Sequence, residues 1–157
     1  MIPERLRYDL THCSIGRALE ALGEKWSLLI VREAFYGLRR FDDFAAALGC
    51  GRAVLSQRLK RLTAEGVFEA ARYRRPGQRA RLEYRLTPKG QALLPTILAL
   101  SQWADAWAPG PDGPVLMPAH AGCGETVSVT LSCGRHDALA PGEVALLPGP
   151  GAKRLGT

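Results

Sequence analysis

Three observations predict a mainly α-helical fold with a small β wing, an α+β class. First, apolar residues recur at helical spacing in four stretches between Ser14 and Glu65, each followed by a glycine at 23, 37, 49 and 66. Second, the period changes to alternation over Val67–Arg74 and again over Ala80–Leu86, with Pro76-Gly77 as a turn signal between them. Third, Thr87-Pro88 opens another helical pattern that lasts to Trp107, with proline at the first helical position. Helix, tight turn, helix, hairpin and helix in this order make a winged helix-turn-helix.

The first helix covers Ser14 to about Leu22, with Ser14 available as its cap. The second, Lys25 to Tyr36, sets Trp26, Leu29, Ile30 and Ala34 on one stripe. The third is Phe41–Leu48. Asp42 and Asp43 stand in its first turn, where the helix dipole favours negative charge. Phe44 and Leu48 face inward, and Gly49-Cys50-Gly51 makes the turn. The fourth, Arg52–Glu65, buries Leu55, Leu59 and Leu62 at i, i+4 and i+7. Arg52, Ala53, Ser56, Gln57 and Lys60 are left on or near its opposite face. A single helix over 88–107 carries Leu93, Ile97, Leu100, Ala104 and Trp107, widened by Leu94 and Leu98, and Pro95 predicts a kink in it. Residues 1–108 thus form a first domain and the Pro/Gly-rich 109–114 a linker. Residues 115–157 form a small C-terminal module, with the alternating run Thr126–Leu131 in a β hairpin and a loose tail from Leu147.

The net charge of +6 is uneven: residues 1–107 carry 18 Lys and Arg against 11 Asp and Glu, and residues 108–157 carry 3 against 4. Such an excess favours a polyanion, though acidic proteins and membranes attract it too. Between Arg72 and Arg85 six arginines (72, 74, 75, 79, 81, 85) meet one acid, Glu83. They repel one another unless a polyanion is near. Double-stranded DNA fits both features. Helix 52–65 offers Ser56, Gln57 and Lys60 to base edges, since Gln suits adenine and Lys suits guanine, and Arg52 to base or phosphate. Ala53 lies on the same face. Arg75 and Arg79 at the hairpin turn, then Arg81, suit phosphate or minor groove. Arg58 faces sideways, toward DNA or toward an acid of its own domain.

No apolar run is long enough to span a membrane and the N-terminus has no apolar h-region, so the expected compartment is the cytoplasm. There is no Gly-rich phosphate loop after a strand and no nucleophile–base–acid set, so an enzyme is not expected. The alternative to a DNA-binding regulator is a winged-helix protein–protein interaction module.

The segments CSIGRALEALGEKWSLLIVREAFYGLRRFDDFAAALG, VLSQRLKRLTAEGVFE and RLEYRLTPKG resemble the HxlR-type winged-helix transcription regulators of bacteria, over roughly residues 9–108. Cys13, the Gly23–Trp26 corner, Arg39-Arg40-Phe41, the Leu55–Leu62 helix and Glu83–Gly90 carry the match together. The resemblance implies a homodimer built from the N-terminal helix and helix 88–107, reading a pseudo-palindromic operator. The effector, small-molecule or redox, is not identified by it. Some relatives use a cysteine at the place of Cys13 as a sensor. By its residue type Cys13 is either a small buried hydrophobe or a redox-sensing thiol near a helix N-terminus. The resemblance also implies, for a subset, a terminal module His-x-x-Cys-Gly, strands, then Cys-x-x-Cys, in which His136 here replaces the last cysteine. His120, Cys123, Cys133 and His136 are spaced to offer four tetrahedral ligands to one structural zinc. A decayed site and a Cys123–Cys133 disulfide are the other readings.

Overall fold

The computed structural model describes residues 7–9, 11–74 and 80–155. Its elements in chain order are β1 (Tyr8–Asp9), α1 (Ser14–Leu22), α2 (Lys25–Phe35), α3 (Phe41–Leu48), α4 (Arg52–Ala64), β2 (Phe68–Tyr73), β3 (Arg81–Leu86), α5 (Pro88–Gln91), α6 (Leu94–Trp107), a 3-10 turn (Pro141–Glu143) and β4 (Lys153–Arg154). The chain forms two compact units, one of residues 21–129 and one of residues 1–20 with 130–157. This division cuts across the sequence partition at 109–114, since residues 115–129 group with the winged helix. In the second unit β1 pairs antiparallel with β4. Among the described residues no helix is long and apolar enough to cross a membrane.

The core of the larger unit forms where α2, α3, α4 and the β2–β3 hairpin meet. Leu55, Leu59 and Leu62 of α4 are wholly buried, as their i, i+4, i+7 spacing requires. They pack with Ile30, Val31 and Phe44. The Phe68 ring meets Phe44 edge-on at 6.4 Å and Tyr84 edge-on at 6.5 Å, which ties α3 to the wing. Burial also pushes the Tyr84 phenol above its ordinary pKa. Gly49 ends α3 in the left-handed conformation at φ 61°, where a β-carbon is disfavoured, and the chain turns there into α4. The buried face of α2 is rotated from the expected stripe. Ser27, Ile30 and Val31 are buried, whereas Trp26 and Leu29 are half-buried. Both sides of α2 are apolar, and the side that meets α4 takes the core.

In the wing β2 and β3 pair antiparallel from Phe68 opposite Leu86 to Tyr73 opposite Arg81. Arg40 bridges to Glu83, and the Tyr84 N–H donates to the Arg39 carbonyl at 2.7 Å, so the approach to α3 covers the β3 edge.

The single helix expected over 88–107 is broken. α5 stops at Gln91 and α6 begins at Leu94. Pro95 has no N–H to offer the Gln91 carbonyl, and the Leu93 N–H bonds instead to Gly90 O at 3.1 Å, a tighter turn. The expected kink is therefore a tightened turn at Ala92 and Leu93, both of which keep helical φ with ψ near −10°. α5 itself is clamped to the base of the wing. Thr87 Oγ1 accepts from the Gly90 N–H at 3.1 Å and donates to Gly66 O at 2.6 Å.

Two smaller expectations also change. Ser14 is the first residue of α1 and not its cap; the Cys13 carbonyl accepts the Arg17 N–H at 3.0 Å. The run Thr126–Leu131 forms no hairpin strand. Only isolated bridges occur, Ala119 with Thr126 and Cys133 with His136. The pairing around the Ala119–Thr126 bridge is short: the His120 N–H reaches Glu125 O at 2.8 Å and the Val127 N–H reaches Pro118 O at 2.9 Å, but the next N–H, that of Val129, goes to the Gln102 side chain of α6 at 2.8 Å. A backbone group satisfied this way extends no ladder to a partner strand.

A β-carbon on Gly90 would lie 2.2 Å from the Val67 carbonyl oxygen. Gly90→Ala is therefore expected to destabilise the protein by about 1–3 kcal/mol, seen as a lower urea midpoint at unchanged slope.

Candidate nucleic-acid interface

Because its leucine stripe faces the core, α4 turns Arg52, Ala53, Gln57 and Lys60 outward, all exposed, with Ser56 half-buried beside them. These are the five residues that the sequence assigns to the outer face. Arg52 is held from two sides. Its Nη2 lies 2.9 Å from Asp42 Oδ1, and its guanidinium carbon lies 4.7 Å from the Phe41 ring centroid. The other oxygen of Asp42 accepts from Arg81 Nη1 at 2.8 Å. One carboxylate at the start of α3 thus joins the first residue of α4 to the first residue of β3. Asp42 is half exposed (51%), so each pair contributes at most about 1 kcal/mol. Its effect is positional: two cations of different elements stand side by side.

Asp42 was legible in the sequence only as a helix-dipole residue. Its partners lie 10 and 39 positions away, and no local pattern announces them. Arg58 resolves toward the domain. Its Nη2 pairs with Glu24 at 3.4 Å and its side chain is only 15% exposed. Its Nε is buried without a hydrogen-bond partner among the described residues.

In the wing, Arg75 and Arg79 lie outside the described residues. Arg72 is exposed, and Arg85 is turned along the strand to Glu83, with Nε 2.9 Å from Oε1. The Arg40 guanidinium stacks over Tyr73 with its carbon 5.1 Å from the ring centroid.

His120, Cys123, Cys133 and His136 form one pair within each unit. In the larger unit His120 Nδ1 is 3.1 Å from Cys123 Sγ, and the Cys123 N–H donates to the same nitrogen at 3.2 Å. The ring folds so closely over this turn that a β-carbon on Gly122 would lie 2.9 Å from His120 Cε1. In the smaller unit Cys133 Sγ is 3.2 Å from His136 Nδ1, and the two backbones exchange hydrogen bonds of 2.9 and 3.2 Å. A tetrahedral zinc sets a nitrogen and a sulfur ligand about 3.6 Å apart, so each pair is close to a chelating geometry. Within either unit, no three His, Cys, Asp or Glu among the described residues form a metal-sized cluster. Cys123 and Cys133 are exposed free thiols. Cys13 is half-buried at the start of α1, and Cys50 is half-buried in the turn, packed on the core.

Comparison with known proteins agrees with this geometry. Residues 21–111 match the model of the HxlR-like helix-turn-helix family. An uncharacterized HTH-type transcriptional regulator of Mycobacterium tuberculosis is 43% identical over 150 residues, which are 92% of this chain and 94% of that one. The HTH-type transcriptional regulator YvaP of Bacillus subtilis is 41% identical over 92 residues, 58% of this chain and 83% of that one. Among solved structures, the candidate transcription factor PA1607 superposes with a TM-score of 0.78 at 33% identity, covering 88% of this chain and 96% of that one.

Proposed function

Because the chain belongs to the HxlR-like helix-turn-helix family, we propose that it is a DNA-binding transcriptional regulator and not an enzyme, with α4 entering a major groove. The observation that carries this reading is the division of α4 itself. Three wholly buried leucines fix its inner face, and Arg52, Ala53, Gln57 and Lys60, together with Val54 and Arg61, are exposed on the rest of the helix. Ser56, Gln57 and Lys60 read base edges, and Arg52 and Arg81, coupled through Asp42, approach phosphate. Arg75 and Arg79 belong to the same proposal as contacts of the wing tip. A protein–protein role would use the same face against an acidic partner, and dependence on DNA sequence separates the two.

The regulator acts as a homodimer through α1 and α6. Ile15 and Leu19 of α1 are 71% and 55% exposed, and Trp103 and Trp107 of α6 are 63% and 77% exposed. Large apolar side chains so placed favour a self-complementary contact. Two α4 helices then reach successive major grooves about 34 Å apart on a pseudo-palindrome. Zinc bound through His120, Cys123, Cys133 and His136 is a second part of the proposal, supported by the near-chelating geometry inside each pair. The zinc would be structural, ordering a segment with little core of its own. A redox-sensing role for Cys13 rests on its place at the start of α1.

Sedimentation at micromolar concentration should give a dimer; a monomer there removes the proposed interface. Binding-site selection should show that Gln57→Ala loses preference at one base pair per half-site, worth about 1–3 kcal/mol of discrimination. Unchanged preference would take Gln57 off the reading face. Elemental analysis of protein purified without chelators should find about one zinc per chain, absent in Cys133→Ser. A wild-type content well below that would leave the pairs as metal-free turns.

A further inference from the structure

The larger unit contains a cleft of about 640 Å³ between α2, α6 and the segment 116–127. Leu28, Leu29 and Phe35 of α2 form one wall, and Ile97 and Leu98 of α6 the other. Met117 and Val127 close one side. These last two lie beyond residues 21–111 that match the family model, so the cleft owes part of its enclosure to the C-terminal segment. The bonds of Val129 to Gln102 and of Val127 to Pro118 hold that segment in place. The volume falls within the roughly 300–1,000 Å³ of small-molecule sites.

The cleft is apolar except at one edge, where Lys25 and Arg32 stand two turns apart on the same face of α2. They are its only charged lining residues among those described, and no carboxylate lines it. Glu33 Oε1 accepts from Arg32 Nε at 3.0 Å and from its Nη2, an ion pair that orients the guanidinium and offsets part of its charge. Lys25 Nζ sits 4.9 Å over the Trp26 ring and carries no carboxylate partner among the cleft-lining residues. An apolar chamber with two cations at its edge is complementary to an apolar body that carries one negative charge. We propose that this cleft binds a small organic acid, an aromatic carboxylate by shape and charge, and that this acid is the effector of the regulator. The effector role rests on the DNA-binding reading above; the binding site does not.

The route from the cleft to DNA is one helix thick. The opposite side of α2 carries Ser27, Ile30 and Val31 into the core shared with α4. Glu24, just before α2, pairs with Arg58 of α4. An acid that wedges α2 away from α6 changes the seat of α4, provided that it binds the two arrangements with different affinity. A second copy of the chain is a less fitting occupant. The most exposed apolar residues of α6, Trp103 and Trp107, lie outside the cleft lining and are available to a dimer contact.

The experiment uses the intact chain with 2-naphthoate and its neutral counterpart 2-naphthalenemethanol, titrated calorimetrically. Naphthoate should saturate one site per chain. Lys25→Gln with Arg32→Gln should weaken naphthoate by about tenfold or more while leaving the alcohol within about twofold. Met117→Asp, at a position 65% exposed and so harmless to folding, should also weaken naphthoate. The proposal is overturned if naphthoate does not saturate at millimolar concentration, if acid and alcohol bind equally, or if the cation variant binds like the wild type. It is equally overturned if naphthoate affinity falls as sedimentation shows the dimer forming, because a second copy then fills the cleft. In a parallel gel shift on DNA upstream of the chain's own gene, naphthoate should change the affinity at least threefold. Binding in the calorimeter with no change in the gel shift overturns the effector role. Absence of any DNA binding by ligand-free protein overturns the regulator reading and the effector role with it, while the calorimetry decides the cleft independently.

Discussion

Leu55, Leu59 and Leu62 lose all contact with solvent, and α4 therefore has no freedom to turn about its axis. Burial of one leucine is worth about 1.5–3 kcal/mol, so a rotation by one residue would forfeit most of three such contributions. No surface interaction of this molecule is of that size. The exposed ion pairs of Asp42 are worth a fraction of it. Hence the inner face decides the outer one. Arg52, Gln57 and Lys60 are presented because the leucines are not, and the aromatic chain Phe44–Phe68–Tyr84 extends the same constraint to the base of the wing.

The weaker interactions then act within that frame. Asp42 adds little stability, yet it sets Arg52 and Arg81 together, from elements far apart in sequence. Phe41 supports Arg52 from below, and Tyr73 supports Arg40. A cation resting on an aromatic face retains less freedom than one on a flexible stem in water, and so loses less on meeting a partner. The candidate interface is thus ordered by contacts that are individually small and share two purposes, placing charge and restraining it.

What was legible in the sequence depended on whether the determining force was local. The α3–turn–α4 unit is legible to within one residue of its ends, α4 stopping at Ala64 with Glu65 as its cap, because amphipathic spacing and glycine stops act within a few residues. The exposed set on α4 followed from the same spacing. The buried face of α2 was misjudged since both of its sides are apolar, and periodicity cannot tell a core from a cleft. The turn at 92–93 was read as a kink, because the competing hydrogen bond from Leu93 to Gly90 is invisible in composition. Alternation over 126–131 suggested a strand, but whether a partner strand exists is a tertiary fact; here the Gln102 side chain takes the place of one. The Asp42 bridge and the cleft, both assembled from distant segments, left no linear trace.

The turn between α5 and α6 bears on how this molecule tolerates inherited change. In an unbroken helix each added or lost residue turns everything downstream by about 100°. An apolar stripe beyond such a change would be re-aimed at water. At the tightened turn of Ala92 and Leu93, where ψ is near −10°, a change of two or three backbone torsions suffices to reset the register. α5 stays pinned by Thr87, Gly90 and the Lys89 ammonium, which reaches the Glu65 carbonyl at 2.5 Å, while α6 carries its own register. The joint thus separates two registers within one chain: residues before it are set by the wing, and residues after it by what α6 packs against.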